Sequence, residues 1–108
     1  MPQGGLARRA SAINQVRQDA PGPLLLLDSG DTLFGHPGWA VKEDSQKGVL
    51  LVHGMNAMGY DAMALGTMDL APVSVAAARF EDADFPILSA NARSGRALPN
   101  VQPYLLRK

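Results

Sequence analysis

The 108-residue chain contains no cysteine, which excludes a disulfide framework and any thiolate metal site and leaves the redox compartment open. It has no net charge either. Ten lysines and arginines balance ten aspartates and glutamates, so it carries no electrostatic footprint for a nucleic-acid polymer or an acidic membrane. A charge near zero also weakens colloidal repulsion, and self-association is compatible with it. Long apolar runs are missing: Leu24 to Leu27 is far too short to span a bilayer. No basic stretch running into an apolar one opens the chain, so no secretory signal is expected within it. Histidine is scarce, with two copies, His36 and His53.

What is present is globular in composition, 46% hydrophobic and 19% charged. A chain of this length is one small domain or part of a larger one. Leu6, Ala10, Ile13 and Val16 fall on one face of a helix predicted over 6–17, with Arg8, Arg9 and Gln15 left for solvent. Ala20-Pro21-Gly22-Pro23 breaks it. Leu24 to Leu27, closed by Asp28-Ser29-Gly30-Asp31, reads as a strand buried on both faces. Gly35 to Gly38 and the polar stretch Lys42 to Lys47 read as loop. A second helix is predicted over 48–58, burying Leu51, Val52, Met55 and Met58 and stopped by Gly59. Ala62 to Leu65 forms a short apolar run. Pro72 suits the first turn of a third helix bearing Val73, Ala76, Ala77 and Phe80. Phe85 to Ser89 is the next strand and Val101 to Leu106 a weaker last one, with a turn-like stretch from Arg93 to Asn100. Strands alternating with helices predict an α/β fold, mainly parallel strands flanked by helices. In such sheets the chemistry collects beyond the carboxyl ends of the strands. Three of these ends matter: Asp28 to Phe34, Gly66 to Ala71 and Ser89 to Arg93.

Asp28-Ser29-Gly30-Asp31 places two carboxylates at one strand end, with a glycine between them that permits close backbone approach. Carboxylate oxygens suit hard cations, and one can bridge two metals. Equally, two such aspartates are turn residues that satisfy loop amides. His36 follows this loop, which leaves two readings, a residue near the Asp31 site or a solvated loop histidine, the second favoured for want of a partner, and His53 falls on the wet face of the second helix. Met55, Met58, Met63 and Met68 suggest adaptable packing rather than a cofactor box. Trp39 is an apolar loop residue suited to covering a cleft or a partner.

Four segments occur in order: Gly4-Gly5-Leu6-Ala7-Arg8, Leu27-Asp28-Ser29-Gly30-Asp31-Thr32, Asn56-Ala57-Met58-Gly59-Tyr60-Asp61-Ala62 and Phe85-Pro86-Ile87-Leu88-Ser89-Ala90-Asn91. Together they resemble the amino-terminal catalytic domain of 5′-nucleotidase-type enzymes in the calcineurin-like metallophosphoesterase superfamily, across nearly the whole chain. The resemblance implies residues 1–108 as a single partial domain of that layered fold. It implies a divalent metal such as zinc or manganese. Such enzymes use an upstream Asp-x-His pair, a bridging aspartate in a Gly-Asp motif, a Gly-Asn-His-Glu/Asp loop and downstream histidines. Asp31 matches the bridging metal ligand, and Asp28 and Gly30 match the framework around it.

The departures are as informative. Where the family has Asn and His, this chain reads Gly66-Thr67-Met68-Asp69. Threonine is a weak ligand and methionine cannot protonate a leaving alkoxide. Asp69 matches the acidic position of that loop, which is not a metal ligand. The Asp-x-His pair would precede Gly4 and the downstream histidines would follow Lys108. No catalytic residue is therefore assigned, and a dinuclear centre is not expected from this chain unaided. The expectation is a phosphoesterase relative with a degenerate site, inactive or very weak by itself. The alternative is a binding or assembly module that pairs through an exposed sheet edge, with itself or with the remainder of a longer polypeptide. A third reading is activity within a longer polypeptide, slowed by Met68. Relatives are often periplasmic or extracellular, and the compartment of this chain stays open. The apolar strand running into Asp28 also resembles the opening motif of haloacid dehalogenase-like phosphatases. That family needs its second aspartate at the position of Gly30, so the match fails.

Overall fold

A computed structural model describes residues 5–33, 41–70, 73–92 and 98–107. Its elements are α1 (Leu6–Asp19), β1 (Leu27–Asp28), α2 (Val41–Met58), β2 (Ala62–Ala64), a 3-10 turn (Thr67–Leu70), α3 (Val73–Asp82), β3 (Ile87–Leu88) and β4 (Val101–Gln102). The strands form one sheet in the order β1-β2-β3-β4, every neighbouring pair parallel. This is the α/β layered fold that the alternation of strands and helices predicts.

Sequential parallel strands joined by right-handed crossovers put their helices on one face of the sheet. Here α2 joins β1 to β2 and α3 joins β2 to β3. The core follows from that arrangement. Met63 and Ile87, register partners on β2 and β3, pack with Val52 and Met55 of α2, Ala76 and Phe80 of α3, and Leu33 and Phe85 from the loops. Alternate strand residues point the other way. Of these, Leu27, Ala64 and Gln102 are exposed, Leu88 is half-buried and Ala62 is buried.

The second helix begins at Val41, seven residues before the predicted start. Lys42 to Lys47, read as loop from its polarity, is helical; Lys, Glu and Gln are good helix formers, and propensity outweighs polarity there. Val52, Met55 and Met58 are buried and Leu51 packs against the core, as the periodicity predicts, and His53 is exposed. Gly59 ends the helix at φ 74, with Gly59 N–H donating to the Asn56 carbonyl at 3.1 Å and Tyr60 N–H to the Met55 carbonyl at 3.3 Å. That pair of bonds satisfies two terminal carbonyls and requires a left-handed residue. Asn56 then ties α2 to the end of α3, donating to the Asp82 carbonyl at 2.8 Å and accepting from the Asp84 N–H at 2.8 Å. Asn100 does the same before β4, its amide donating to the Phe85 carbonyl at 2.7 Å.

The largest departure lies at the start of the sheet. Leu24 to Leu27 is not a strand buried on both faces: β1 comprises Leu27 and Asp28, and Leu24, Leu25 and Leu27 are 40%, 57% and 61% exposed. β1 is an edge strand, and among the described residues nothing packs on its outer side closely enough to bury these side chains. The first helix shows the same effect, since Ile13 is buried while Val16, predicted on the same face, is exposed. Pro72 at the third helix, Gly35 to Gly38, His36, Trp39 and residues 93–97 lie outside the described residues.

Two substitutions separate the halves of this packing. Phe80→Ala, which empties a fully buried position, is expected to cost about 3–5 kcal/mol. Leu27→Ala is expected to stay within roughly 0.5 kcal/mol of the parent. Urea denaturation of both variants measures the difference.

Candidate functional site

The carboxyl ends of β1 and β2 carry two loops, 28–33 and 64–70, that interlock. Their contact begins with glycine. Gly30 sits at φ 93, and a Cβ there would stand 2.6 Å from the Ala64 carbonyl oxygen and 2.9 Å from the Gly66 nitrogen. A Cβ on Gly66 would overlap the Asp31 nitrogen and Oδ1 and lie 2.7 Å from its Cγ. Neither position has room for a side chain, and the obstacles are chiefly backbone. Asp31 itself holds a left-handed φ of 55, uncommon outside glycine although tolerated best by Asn and Asp.

Asp69 holds the two loops together. Its carboxylate is fully buried. Oδ2 accepts from the N–H groups of Asp31 and Gly66, both at 2.9 Å. Oδ1 accepts from Thr32 N–H at 2.9 Å and Leu33 N–H at 3.0 Å. A carboxylate offers about four lone-pair sites, and here each is met by a backbone amide. Leu33, the last donor, is itself a core residue, so the loop returns into the protein directly after passing Asp69.

Asp28 is occupied as well. Its Oδ1 accepts from the Gly30 N–H at 2.8 Å and from the Thr32 hydroxyl in a short contact. Of the two readings of the aspartate pair, satisfaction of loop amides describes Asp28. Asp31 has an exposed position at the tip. Among the described residues no group of three or more His, Cys, Asp or Glu side chains converges closely enough to hold a metal ion. The described donors thus do not make a cage around Asp31: Asp28 is turned to its own loop and Asp69 is sealed beneath it. Thr67 is exposed in the 3-10 turn beside the loop. His36 falls outside the described residues and His53, exposed on α2, is not among the residues of these loops.

Asp69 is the residue that reading for ligands passes over. The available signal is its place, three residues beyond Gly66 and after a strand end, where a carboxylate naturally meets free loop amides. At the opposite end of β2, Asp61 accepts from Leu26 N–H at 2.8 Å and pairs with Arg107. The Leu26 amide lowers its carboxyl below the ordinary value by more than partial burial raises it, and Arg107 adds to the lowering.

No family model matches the chain. The chain is 41% identical over 93 residues to a 5′-nucleotidase of Bos taurus, 84% of this chain and 15% of that protein. It is 40% identical over 106 residues to a snake venom 5′-nucleotidase of Naja atra, 95% of this chain and 19% of that protein. It is 40% identical over 91 residues to the protein UshA of Yersinia enterocolitica, 81% of this chain and 16% of that protein. The chain therefore spans less than a fifth of the length of these relatives. No described helix is long and apolar enough to cross a membrane.

The interlock sets a sharp steric test. Gly66→Ala must push the Asp31 peptide away, and is expected to cost at least about 1 kcal/mol. Urea denaturation, with amide chemical shifts of Asp31 and Thr32 read in parallel, is expected to show lower stability and displaced loop resonances.

Proposed function

The chain corresponds to part of a 5′-nucleotidase-type domain, and from that premise we propose that it is a divergent portion of a phosphoester hydrolase that does not turn over phosphoesters at an appreciable rate by itself. One observation carries the reading. Asp31, which matches the bridging metal ligand, stands exposed at the carboxyl ends of β1 and β2, while the other carboxylates of these loops, Asp28 and Asp69, are turned to backbone amides. Two-metal chemistry requires several carboxylate and imidazole ligands converging on adjacent ions. In this reading Asp31 contributes one of them. A divalent cation such as zinc or manganese, when bound, supplies Lewis-acid polarisation of the phosphoryl group. The further ligands come from other segments of a longer polypeptide. Thr67 and Met68 stand where the family carries Asn and His, so the proton for the leaving group is not supplied from this loop.

The test is hydrolysis of a nucleoside 5′-monophosphate and of p-nitrophenyl phosphate with manganese, zinc or cobalt present. Release of phosphate is expected to stay at background, and Asp31→Asn is expected to change nothing. Robust metal-dependent turnover abolished by Asp31→Asn overturns the proposal.

A second reading is favoured by Leu24, Leu25 and Leu27, exposed on an edge strand. Leu26 turns both of its backbone groups toward the β2 side, its N–H to the Asp61 carboxylate and its carbonyl to the Asp61 N–H. In extended chain the polar groups of the adjoining residues face the opposite way, toward the open edge. Open apolar edges accept further strands. In this reading the chain assembles through β1, with a second copy or with the rest of its polypeptide. Sedimentation velocity of the isolated chain is expected to show concentration-dependent association. A folded monomer at high concentration rules out self-pairing.

A further inference from the structure

We infer that Asp69 is the positioning residue of Asp31: a buried carboxylate, bonded among the described residues to backbone amides, that sets the left-handed peptide of the candidate ligand before any cation arrives. The relevance to metal binding rests on the reading of Asp31 as a ligand; the device itself stands on geometry.

Three consecutive amides, those of Asp31, Thr32 and Leu33, point at the same carboxylate, joined by that of Gly66 from the second loop. Successive N–H groups directed to one side form an anion-binding concavity, and here the anion is a side chain of the same chain. The arrangement explains why Asp31 tolerates φ 55. A residue in a sparsely populated backbone region persists only where its surroundings over-determine it. The surroundings are the amide bond to Asp69 Oδ2 on one side and the glycine face of Gly66 on the other. The Gly66 amide shares that same oxygen. Gly30, at φ 93, lets the chain turn into the concavity. Asp31 is therefore anchored through its backbone N–H to the carboxylate beneath it, while its position lies at the exposed tip of the loop.

The same contacts exclude Asp69 as a ligand. Each of its oxygens already accepts two amide bonds, and the residue has no exposed surface. Coordination of a cation would require releasing amides from these oxygens, of which the Leu33 N–H is buried, at a cost of the order of 1–3 kcal/mol for a buried amide left unsatisfied.

Asp69→Asn keeps the shape of the side chain and replaces one acceptor oxygen with a donor, so two amides lose their acceptor. Amide hydrogen exchange and nuclear Overhauser spectra of the chain, recorded without metal, read the consequence. Exchange at Asp31, Thr32, Leu33 and Gly66 is expected to accelerate by at least roughly tenfold, with the amides of Met63 and Ile87 changed by less than about twofold. The strong intraresidue contact between the amide and α protons of Asp31, which marks a left-handed residue, is expected to weaken. Equal acceleration throughout the chain, or unchanged spectra at Asp31, overturns the inference. Should the variant fail to fold, the parent chain decides it. Protection of the four amides is expected to fall together as denaturant is added, as one opening event, and independent openings overturn it. No hydrolysis is read, so this experiment fails or succeeds apart from the activity assay.

Discussion

An ionised carboxylate removed from water must have its oxygens satisfied or it destabilises the fold by several kcal/mol. Asp69 meets that requirement through four amides contributed by two separate loops. Much of the upper end of the sheet depends on this. The Asp31 loop can reach Gly66 because glycine leaves room. It can turn through a left-handed residue because the amide of that residue has a fixed acceptor. It can return to the core at Leu33 because Leu33 N–H is satisfied on the way in. Remove the carboxylate and the loop has no reason to hold this path, even with the sheet below intact.

The rest of the molecule is a one-sided structure. Helices α2 and α3 supply Val52, Met55, Ala76 and Phe80 to the face of the sheet that bears Met63 and Ile87. The alternating positions Leu27, Ala64 and Gln102 keep access to solvent. Apolar side chains on such a face contribute little by themselves, since burial against water is what stabilises them. The flat overall shape, 43 by 39 by 18 Å, is consistent with a single sheet and a single helix layer.

Alternation of apolar runs with helical periodicity was enough to read the parallel α/β class, because burial on one face imposes period 2 on strands and period 3.6 on helices regardless of partner. The α2 stripe of Val52, Met55 and Met58 and the α3 pair Ala76 and Phe80 were legible for that reason. The four leucines at 24–27 were misread, since an apolar run states that burial is possible and not that a partner is supplied. Lys42 to Lys47 departs in the opposite sense: its polarity suggests loop, while its propensity allows the helix it forms. Asp28 and Asp31 were found as a pair, yet nothing in their spacing separated the turn-forming residue from the exposed one. Asp69 reads as an acidic residue without a ligand's role; one partner, the Gly66 N–H, is three residues away, and the other three lie 36 to 38 residues away along the chain, beyond any local pattern.

By itself, then, the order of residues determined the class of fold, the buried faces of α2 and α3, the Gly59 stop and the kinship with 5′-nucleotidase-type proteins, all of which are local or cumulative properties of the chain. Only the tertiary structure decided which carboxylate is sealed, which is turned to its own loop and which stands at the surface. It also decided that β1 lies at an edge. The reason is that hydrogen-bond satisfaction and burial depend on what comes alongside in space: for Asp69 and for β1 that is chiefly chain distant in sequence, and for Asp28 it is the path its own loop takes.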